Sequence, residues 1–469
     1  MNFIHVEFLY FFAIVFVLYW LLNKRKWQNL LLIVSSAIFY GWVHPWFLIL
    51  LYGSAVLDYQ MGLLMRSDPD NKKRYLILSL IGNLGMLGYF KYANFFMDNV
   101  IFVFESMGIH TDWTSLNIIL PVGISFFTFQ TMSYSIDIYR GSLEPRKQFV
   151  DYLVFISFFP QLVAGPVERA STLLPQMEKE RRLSWEQFRS GLSLALWGAF
   201  KKVCIADTIA LYVNRIFELQ EPSGAMIWAA TLGFTIQILT DFAGYTDIAR
   251  GTARMLGFEL MENFKNPYIA KNPSDFWRRW HVSFSTWIRD YLYIPFGGSR
   301  GTFSNTTKAT FGAMLLSGLW HGASWTFVLW GAYHAAILTG YRLVTKRIPK
   351  EIRKSTWGAP FAVSIMFGFT VVGWLIFRET NIGQLLHYFT LNPFEGSSDQ
   401  FLVAGIMFAM CLTCSIPLVL ALTVEKLLLP RVKDSIWFQP MMTTFWGLCI
   451  LSIMIMHRPT NNDFIYFQF

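Results

Sequence analysis

Charge is what this sequence has least of. Asp, Glu, Lys and Arg make up 15% of its 469 residues, against about 25% in a soluble domain. Length alone allows two or three soluble domains, but no polar stretch is long enough to fold separately. Cysteine is also scarce. Cys204, Cys411, Cys414 and Cys449 all fall within apolar segments, which argues against a disulfide framework or a loop zinc site. Cys411 and Cys414 form a C-x-x-C, yet within a hydrophobic helix that pair is expected to pack rather than to bind metal. No metal is expected. The first residues, Met1 to Glu7, lack the positive region of a signal peptide, and the apolar run after them has no small-residue cleavage site. It reads as a retained first helix.

What is present is apolar: 54% of the residues are hydrophobic and 18% aromatic. This composition specifies an all-α, polytopic integral membrane protein. The formal net charge of +9 is the Lys and Arg excess that cytoplasmic loops carry. It argues for topology and membrane lipid, not for nucleic acid. Apolar segments at Phe8 to Leu22, Trp27 to Val43, Phe47 to Met65, Tyr75 to Met97 and Leu116 to Ile138 alternate with basic punctuation. Lys24 to Lys26, Lys72 to Arg74 and Arg140 to Lys147 mark cytoplasmic loops, whereas His44-Pro45 and Asp98 to Trp113 carry no Lys or Arg and face outward. Tyr152 to Gly165 is short for a span, and charged sequence follows it. The segment Phe158 to Pro166, with two prolines and a glycine, is therefore read as dipping into the membrane and returning, or as a proline-kinked helix. Irregular backbone survives at that depth only where protein buries it or it lines a cavity.

Gly191 to Phe217 and Ala225 to Ile248 make the next pair, joined by an external loop at Glu218 to Pro222. Asp241 and Asp247 lie on the second; intramembrane carboxylates need partners or water, and Asp241 is the better functional candidate. The stretch from Asn263 to Arg300 reads as interfacial. Asn272-Pro-Ser274 resembles a helix start capped by Ser274 or Asp275, and on one helix Arg278 and His281 share a face. Trp277, Arg278 and Arg279 suit headgroup level, which leaves His281, Arg289 and Asp290 unexplained. Gly297 to Gly301 is a weak phosphate-loop signal.

The chain is organised around Ser317 to His334. No Lys, Arg, Asp or Glu occurs from Ala309 to Gly340, and His321 lies roughly 20 Å beyond Lys308 if the segment is helical. An ionisable side chain at that depth is either a structural hydrogen bonder or a functional group. Ala309 to Val344 is too long for one span and too short for two full ones, so a helix broken near Gly331 is expected. On an unbroken helix His321 and His334 would not share a face, and His334 is not favoured. Helices near Phe361 to Phe377, Phe401 to Leu422 and Met441 to Met456 follow, then an apolar ending, Phe464 to Phe469, that tucks back against the bundle. A histidine accepts a proton at neutral pH, so His321 activating a hydroxyl while arginines hold an anionic acyl carrier is the chemistry these residues suggest.

Several segments in order resemble the membrane-bound O-acyltransferases, and within them the bacterial alginate O-acetyltransferase branch. They are Gly88 to Asn94, Pro121 to Ser125, Phe159 to Pro166, Lys202 to Asp207, Asp241 to Asp247, Phe276 to His281, Gly318 to Gly322 and Phe464 to Phe469. The resemblance implies one domain over residues 1–469, with a motif-bearing core at 75–378 and variable C-terminal helices at 379–469. It implies about eleven to twelve transmembrane helices plus re-entrant segments around a central funnel. His321 matches the family's histidine, as general base or transient acyl carrier, and His281 matches its second polar position. Asp241, Arg278, Arg279, Trp280 and Trp320 are candidates for contacting substrate or donor. The implied donor is acetyl-CoA or an acyl carrier thioester, with no bound cofactor. The implied partners are periplasmic esterase-fold (SGNH-type) acetyltransferases, with a secreted exopolysaccharide, alginate or cellulose, as final acceptor at the bacterial inner membrane. A polysaccharide exporter and a non-catalytic scaffold are the competing classes; an exporter needs no particular histidine.

Overall fold

A computed structural model describes residues 1–116, 118–163, 165–347, 358–428, 431, 435–436, 438–458 and 464–465. Most of the basic stretch from Lys346 to Lys354, Lys433 and the last four residues of the apolar ending lie outside them. Among the described residues every regular element is helical. Six helices of the described residues are long and apolar enough to cross a membrane: Phe47–Ser67, Pro69–Ser106, Gly224–Met255, Gly358–Arg378, Ser398–Leu427 and Phe438–Met456. Val6–Leu21 is a shorter apolar helix. Leu9, Ile14, Ile49, Ile81, Leu402 and Ile455 are exposed on these helices, a surface that suits hydrocarbon rather than water.

The first helices, α1 (Val6–Leu21), α2 (Arg25–Gly41), α3 (Phe47–Ser67), α4 (Lys72–Leu87) and α5 (Ala93–Ser106), form one flank. Between α4 and α5 the chain does not break but widens into a π-helical turn, Gly88–Tyr92. π turns of this kind re-aim side chains and occur often at functional sites. α6 (Ile124–Tyr139) is buried along most of its length. It binds α3 and α4 through Asp58, which accepts hydrogen bonds from Asn83 at 2.7 Å, Ser135 at 2.9 Å and Ser79.

The segment Phe158 to Pro166 opens with a short helix, α8 (Phe159–Leu162), set off from α7 (Phe149–Ser157) by a non-helical Phe158 with φ −53° and ψ 103°. Phe155, Phe158, Phe159 and Pro160 are all buried. It is therefore not a single kinked helix. α9 (Ala170–Glu178) leads out, and α10 (Trp185–Phe200) runs through a second π turn into α11 (Asp207–Phe217). The long α12 (Gly224–Met255) is buried on nearly all sides and packs against α10 and α11. Gly198 and Gly244 let the backbones of α10 and α12 approach closely, and a Cβ on Gly198 would stand 2.6 Å from the Gly244 carbonyl. Small residues at a crossing are how membrane helices gain contact when solvent supplies no drive.

Two local expectations are corrected in the next stretch. The cap of α13 (Pro273–Trp277) is Asn272, whose side chain accepts from the Asp275 N–H at 2.8 Å. Neither Ser274 nor Asp275 serves. The helix then ends, because His281 has φ 42° and ψ 56° before α14 (Val282–Ile288). Arg278 and His281 are on different elements and share no helix face.

α15 (Phe303–His321) and α16 (Trp325–Arg347) form a tight antiparallel pair. Thr302 caps the start of α15 through the Asn305 N–H. The break falls at Gly322–Ser324 and not at Gly331, which lies inside α16. There it serves packing, since a Cβ would stand 2.3 Å from the Met314 carbonyl oxygen. α17 (Gly358–Arg378) covers this hairpin, and α18 (Ile382–Thr390), α19 (Ser398–Thr423) and α20 (Phe438–Met456) complete the bundle. Phe464 and Ile465, from the apolar ending, are buried, Phe464 against Phe242 and Tyr245 of α12 and Ile465 donating its N–H to Asp241 on the same helix.

Candidate active site

His321 is the last residue of α15 and is 4% exposed. It stands at the end of 19 helical residues, roughly 28 Å from the start of that helix. Four rings surround it: Trp320 and Trp330 at 5.0 Å between centroids, Phe284 and Phe377 at 5.3 Å. The wall is aromatic because α15, α16 and α17 each present large rings to one line of contact.

Two cavities flank this point. The larger, about 270 Å³, lies among α13, α14 and the α15–α16 hairpin, where its lining runs from Thr310 to Ser317 on α15 and from Leu338 to Arg342 on α16. Arg278, Arg289 and Arg342 line it, together with Trp277, Phe284 and Ser317. Arg342 is steadied by Thr310 at 2.8 Å and Tyr293 at 3.3 Å. This is the end that carries Lys308. The smaller cavity, about 90 Å³, is lined by Lys91, Leu120 to Phe126, Val163, Trp320 and His321 itself. His321 thus faces one cavity, and Phe284, which touches its ring, lines the other. Of the two imidazoles expected to act together, only His321 lines a cavity.

His281 is fully buried. Its ring lies 4.7 Å from Phe242, 5.0 Å from Phe284 and 6.2 Å from Trp320. Phe284 and Trp320 therefore stand between the two histidines. Asn263 fixes the backbone that follows, its carbonyl accepting from Val282 N at 3.0 Å and its Oδ1 from Ser283 N at 3.1 Å. Ser283 Oγ in turn accepts from Val167 N at 3.0 Å, which ties His281 to the dipping segment. The Nδ1 of His281 has only Ser283 Oγ at 3.5 Å, and Nε2 has no partner among the described residues.

The remaining candidates divide. Trp320 lines the small cavity and touches both histidines. Trp280 is buried behind them, 4.6 Å from Trp374 and 4.9 Å from Phe264. Arg278 lines the large cavity with its side chain 71% exposed. Arg279 turns away to Asp275 at 3.0 Å and to the Lys265 carbonyl. Asp241 lines neither cavity; it is 2.6 Å from Lys202 and accepts from Ile465 N at 2.8 Å.

Three residues near the site carry no weight in the sequence reading. His334 is buried 4.5 Å from Trp330 and 5.1 Å from Trp277, so the Trp330 ring joins it to His321. Arg342 closes the large cavity, and Lys91 closes the small one. Lys91 had one available signal, its place in a segment that resembles the family.

Residues 143–378 match the membrane-bound O-acyltransferase family. The chain belongs to that family. It is 41% identical over 379 residues to a probable alginate O-acetylase of Pseudomonas aeruginosa, covering 80% of this chain and 71% of the relative. It is 34% identical over 402 residues to a peptidoglycan O-acetyltransferase of Helicobacter pylori, covering 79% and 75%. A teichoic acid D-alanyltransferase of Bacillus subtilis is 30% identical over 279 residues, covering 56% and 69%. As a membrane-bound O-acyltransferase, the chain is an enzyme of acyl transfer, and neither exporter nor scaffold describes its class.

Proposed function

We propose that this enzyme passes an acetyl group from a thioester on the basic side of the membrane to a hydroxyl presented from the opposite side, for O-acetylation of a secreted polysaccharide. The observation that carries the proposal is the position of His321, which lines the small cavity while Phe284, in contact with its ring, lines the large one. The large cavity takes the donor. Arg278, Arg289 and Arg342 at its mouth suit the phosphates of acetyl-CoA, or of a carrier-borne phosphopantetheine, and its aromatic end suits the thin pantetheine arm. The small cavity takes the hydroxyl.

In this reading His321 accepts the hydroxyl proton as the oxygen attacks the thioester carbonyl, then returns it to the leaving thiolate. General base catalysis of this kind contributes about 10²–10⁴ in rate. His281 supports the wall behind the reacting centre, with Trp320 and Phe284 between it and His321. Relatives named for alginate, peptidoglycan and teichoic acid support a cell-surface polymer as the acceptor class. The identity to alginate O-acetylases makes an alginate-type exopolysaccharide the first to test, with cellulose second. The bacterial inner membrane is the site that gives the basic loops access to cytoplasmic thioesters, and periplasmic esterase-fold proteins are the partners that would carry acetyl on to the polymer.

The test is the acetyl content of secreted polymer in producing cells that carry His321→Ala at the wild-type membrane level. Loss of acetyl with polymer still secreted is the expected result. Normal acetylation overturns the role of His321, and loss of secretion itself restores an export function.

A further inference from the structure

The C-terminal end of α15 stops inside the protein, which leaves its last carbonyls without helical partners. A helix end of this kind carries about half a negative charge and needs donors when buried. Here both donors come from the π turn between α4 and α5. Lys91 Nζ donates to the Trp320 carbonyl at 2.6 Å and to the His321 carbonyl at 3.1 Å. Tyr92 donates its hydroxyl hydrogen to the Leu319 carbonyl at 2.8 Å.

Capping alone does not require a lysine. Tyr92 shows that a neutral hydroxyl serves the same end, and burying an ammonium costs far more than burying a hydroxyl. Lys91 also does something Tyr92 does not: it lines the small cavity beside His321. An ammonium has three N–H donors. Two are used on the carbonyls, and the third has only Ser125 Oγ, at 3.5 Å, which is long for a hydrogen bond. No carboxylate lines that cavity, and among the described residues none forms an ion pair with Lys91. The cavity that meets the reactive histidine therefore carries a half-buried ammonium with a donor to spare.

We propose that Lys91 is an electrostatic catalytic residue, its ammonium stabilising the oxyanion that forms beside His321 during acyl transfer. The proposal rests on the acyl-transfer reading of His321 given above. The acceptor oxygen forms its bond to the thioester carbon as its proton passes to His321, and the carbonyl electron pair moves onto oxygen. Lys91 faces that charge. The carbonyl then re-forms, the C–S bond breaks, and the thiolate takes the proton from His321. Lys91 keeps its own protons throughout. Its two bonds to the backbone of Trp320 and His321 fix it relative to the histidine, so the charge is placed before the reaction begins.

The test uses the full-length enzyme in nanodiscs, with acetyl-CoA as donor and glycerol as a small hydroxyl acceptor, reading thiol release. Lys91→Gln keeps amide donors for the carbonyls and removes the charge, and Lys91→Arg keeps the charge. The expected result is that Lys91→Gln lowers kcat by about 10²–10³, leaves KM for acetyl-CoA within about twofold, and melts within a few degrees of wild type. Lys91→Arg recovers at least about tenfold of the loss. Lys91→Gln with near-normal kcat overturns the proposal and leaves Lys91 a helix cap, as does a loss that Lys91→Arg shares in full. Wild-type release that His321→Ala does not diminish removes the reading of His321 itself, and the role of Lys91 with it.

Discussion

Lys202 and Asp241 meet at 2.6 Å in the interior of the bundle, their side chains 1% and 3% exposed. Asp207 joins the same ammonium at 2.7 Å, and Asp241 accepts from the backbone of Ile465. The motif-bearing carboxylate of α12 thus ties the π turn before α11 to the apolar C-terminal segment. Truncating one member of a buried ion pair leaves an uncompensated charge and costs about 3–5 kcal/mol. Lys202→Met is therefore expected to lower the melting temperature sharply. Adding Asp241→Asn to Lys202→Met should cost less than Asp241→Asn alone, because the carboxylate it neutralises has already lost its cation. Additive losses in such a cycle, measured by melting in detergent, would show that the pair is not coupled.

His281 is a second place where backbone and function are joined. Its φ of 42° is a left-handed conformation that Asn and Gly adopt readily and β-branched residues do not. His281→Asn is expected to fold and reach the membrane at the wild-type level while losing the ring that faces Phe242 and Phe284. His281→Val, with a similar loss of the imidazole, should also lose about 1–3 kcal/mol from backbone strain. Comparing melting with transfer activity in the two variants separates the parts. Equal stability of the two would mean that the left-handed turn relaxes on substitution.

His321 was legible in the sequence because it interrupts a long uncharged run, and intramembrane ionisable groups are costly enough to stand out. The all-helical class was legible for similar reasons of hydropathy, and so was the irregular, buried course of the chain near Pro160. Lys91, Arg342 and His334 were not, because each matters through contacts remote in sequence. Lys91 reaches a carbonyl 230 residues away, and no local pattern encodes that. The turn at His281 was misread because a regular helix was extrapolated through residues that tertiary bonds to Asn263 hold in another conformation, and the α13 cap was misplaced by two or three residues because Asn272 also carries a capping oxygen. The hairpin break was misplaced because Gly331 looks like punctuation, whereas it is used for close packing.

That packing gives a sharp expectation. A Cβ on Gly318 would stand 2.1 Å from the Phe327 carbonyl oxygen and 3.2 Å from Gly331 N. Neither neighbour is a flexible side-chain end, so Gly318→Ala must separate α15 from α16. Overpacking of this kind costs about 1–3 kcal/mol, and the shift is applied three residues from His321. Activity is expected to fall by more than tenfold even where the protein remains folded in nanodiscs. Gly340→Ala is the control, since nothing stands within 4 Å of a Cβ there; it should match wild type in both melting and activity. A Gly318→Ala variant with normal turnover would mean that the hairpin spacing does not set the position of the histidine.

Glu168 makes stability depend on pH. It lies in the loop between α8 and α9, outside the membrane-crossing helices, and burial pushes its carboxyl up from 4.5 to about 7, against the opposing effect of the Met261 N–H that donates to it at 2.6 Å. Between those values the folded protein holds a proton that the unfolded chain has released. Folding then binds protons, so stability is fully present below about pH 4.5 and falls as pH rises toward 7. The slope is roughly 1.4 kcal/mol per pH unit within that window and zero above it. Glu168→Gln keeps an oxygen to accept from Met261 and cannot ionise. Its melting temperature is expected to show less decline than wild type between pH 5 and 7, and to exceed wild type at pH 8. A wild-type profile that Glu168→Gln reproduces would place the folded-state titration of Glu168 at its unfolded value, with the carboxylate ionised and satisfied by Met261 and the charges of Arg169 and Arg250.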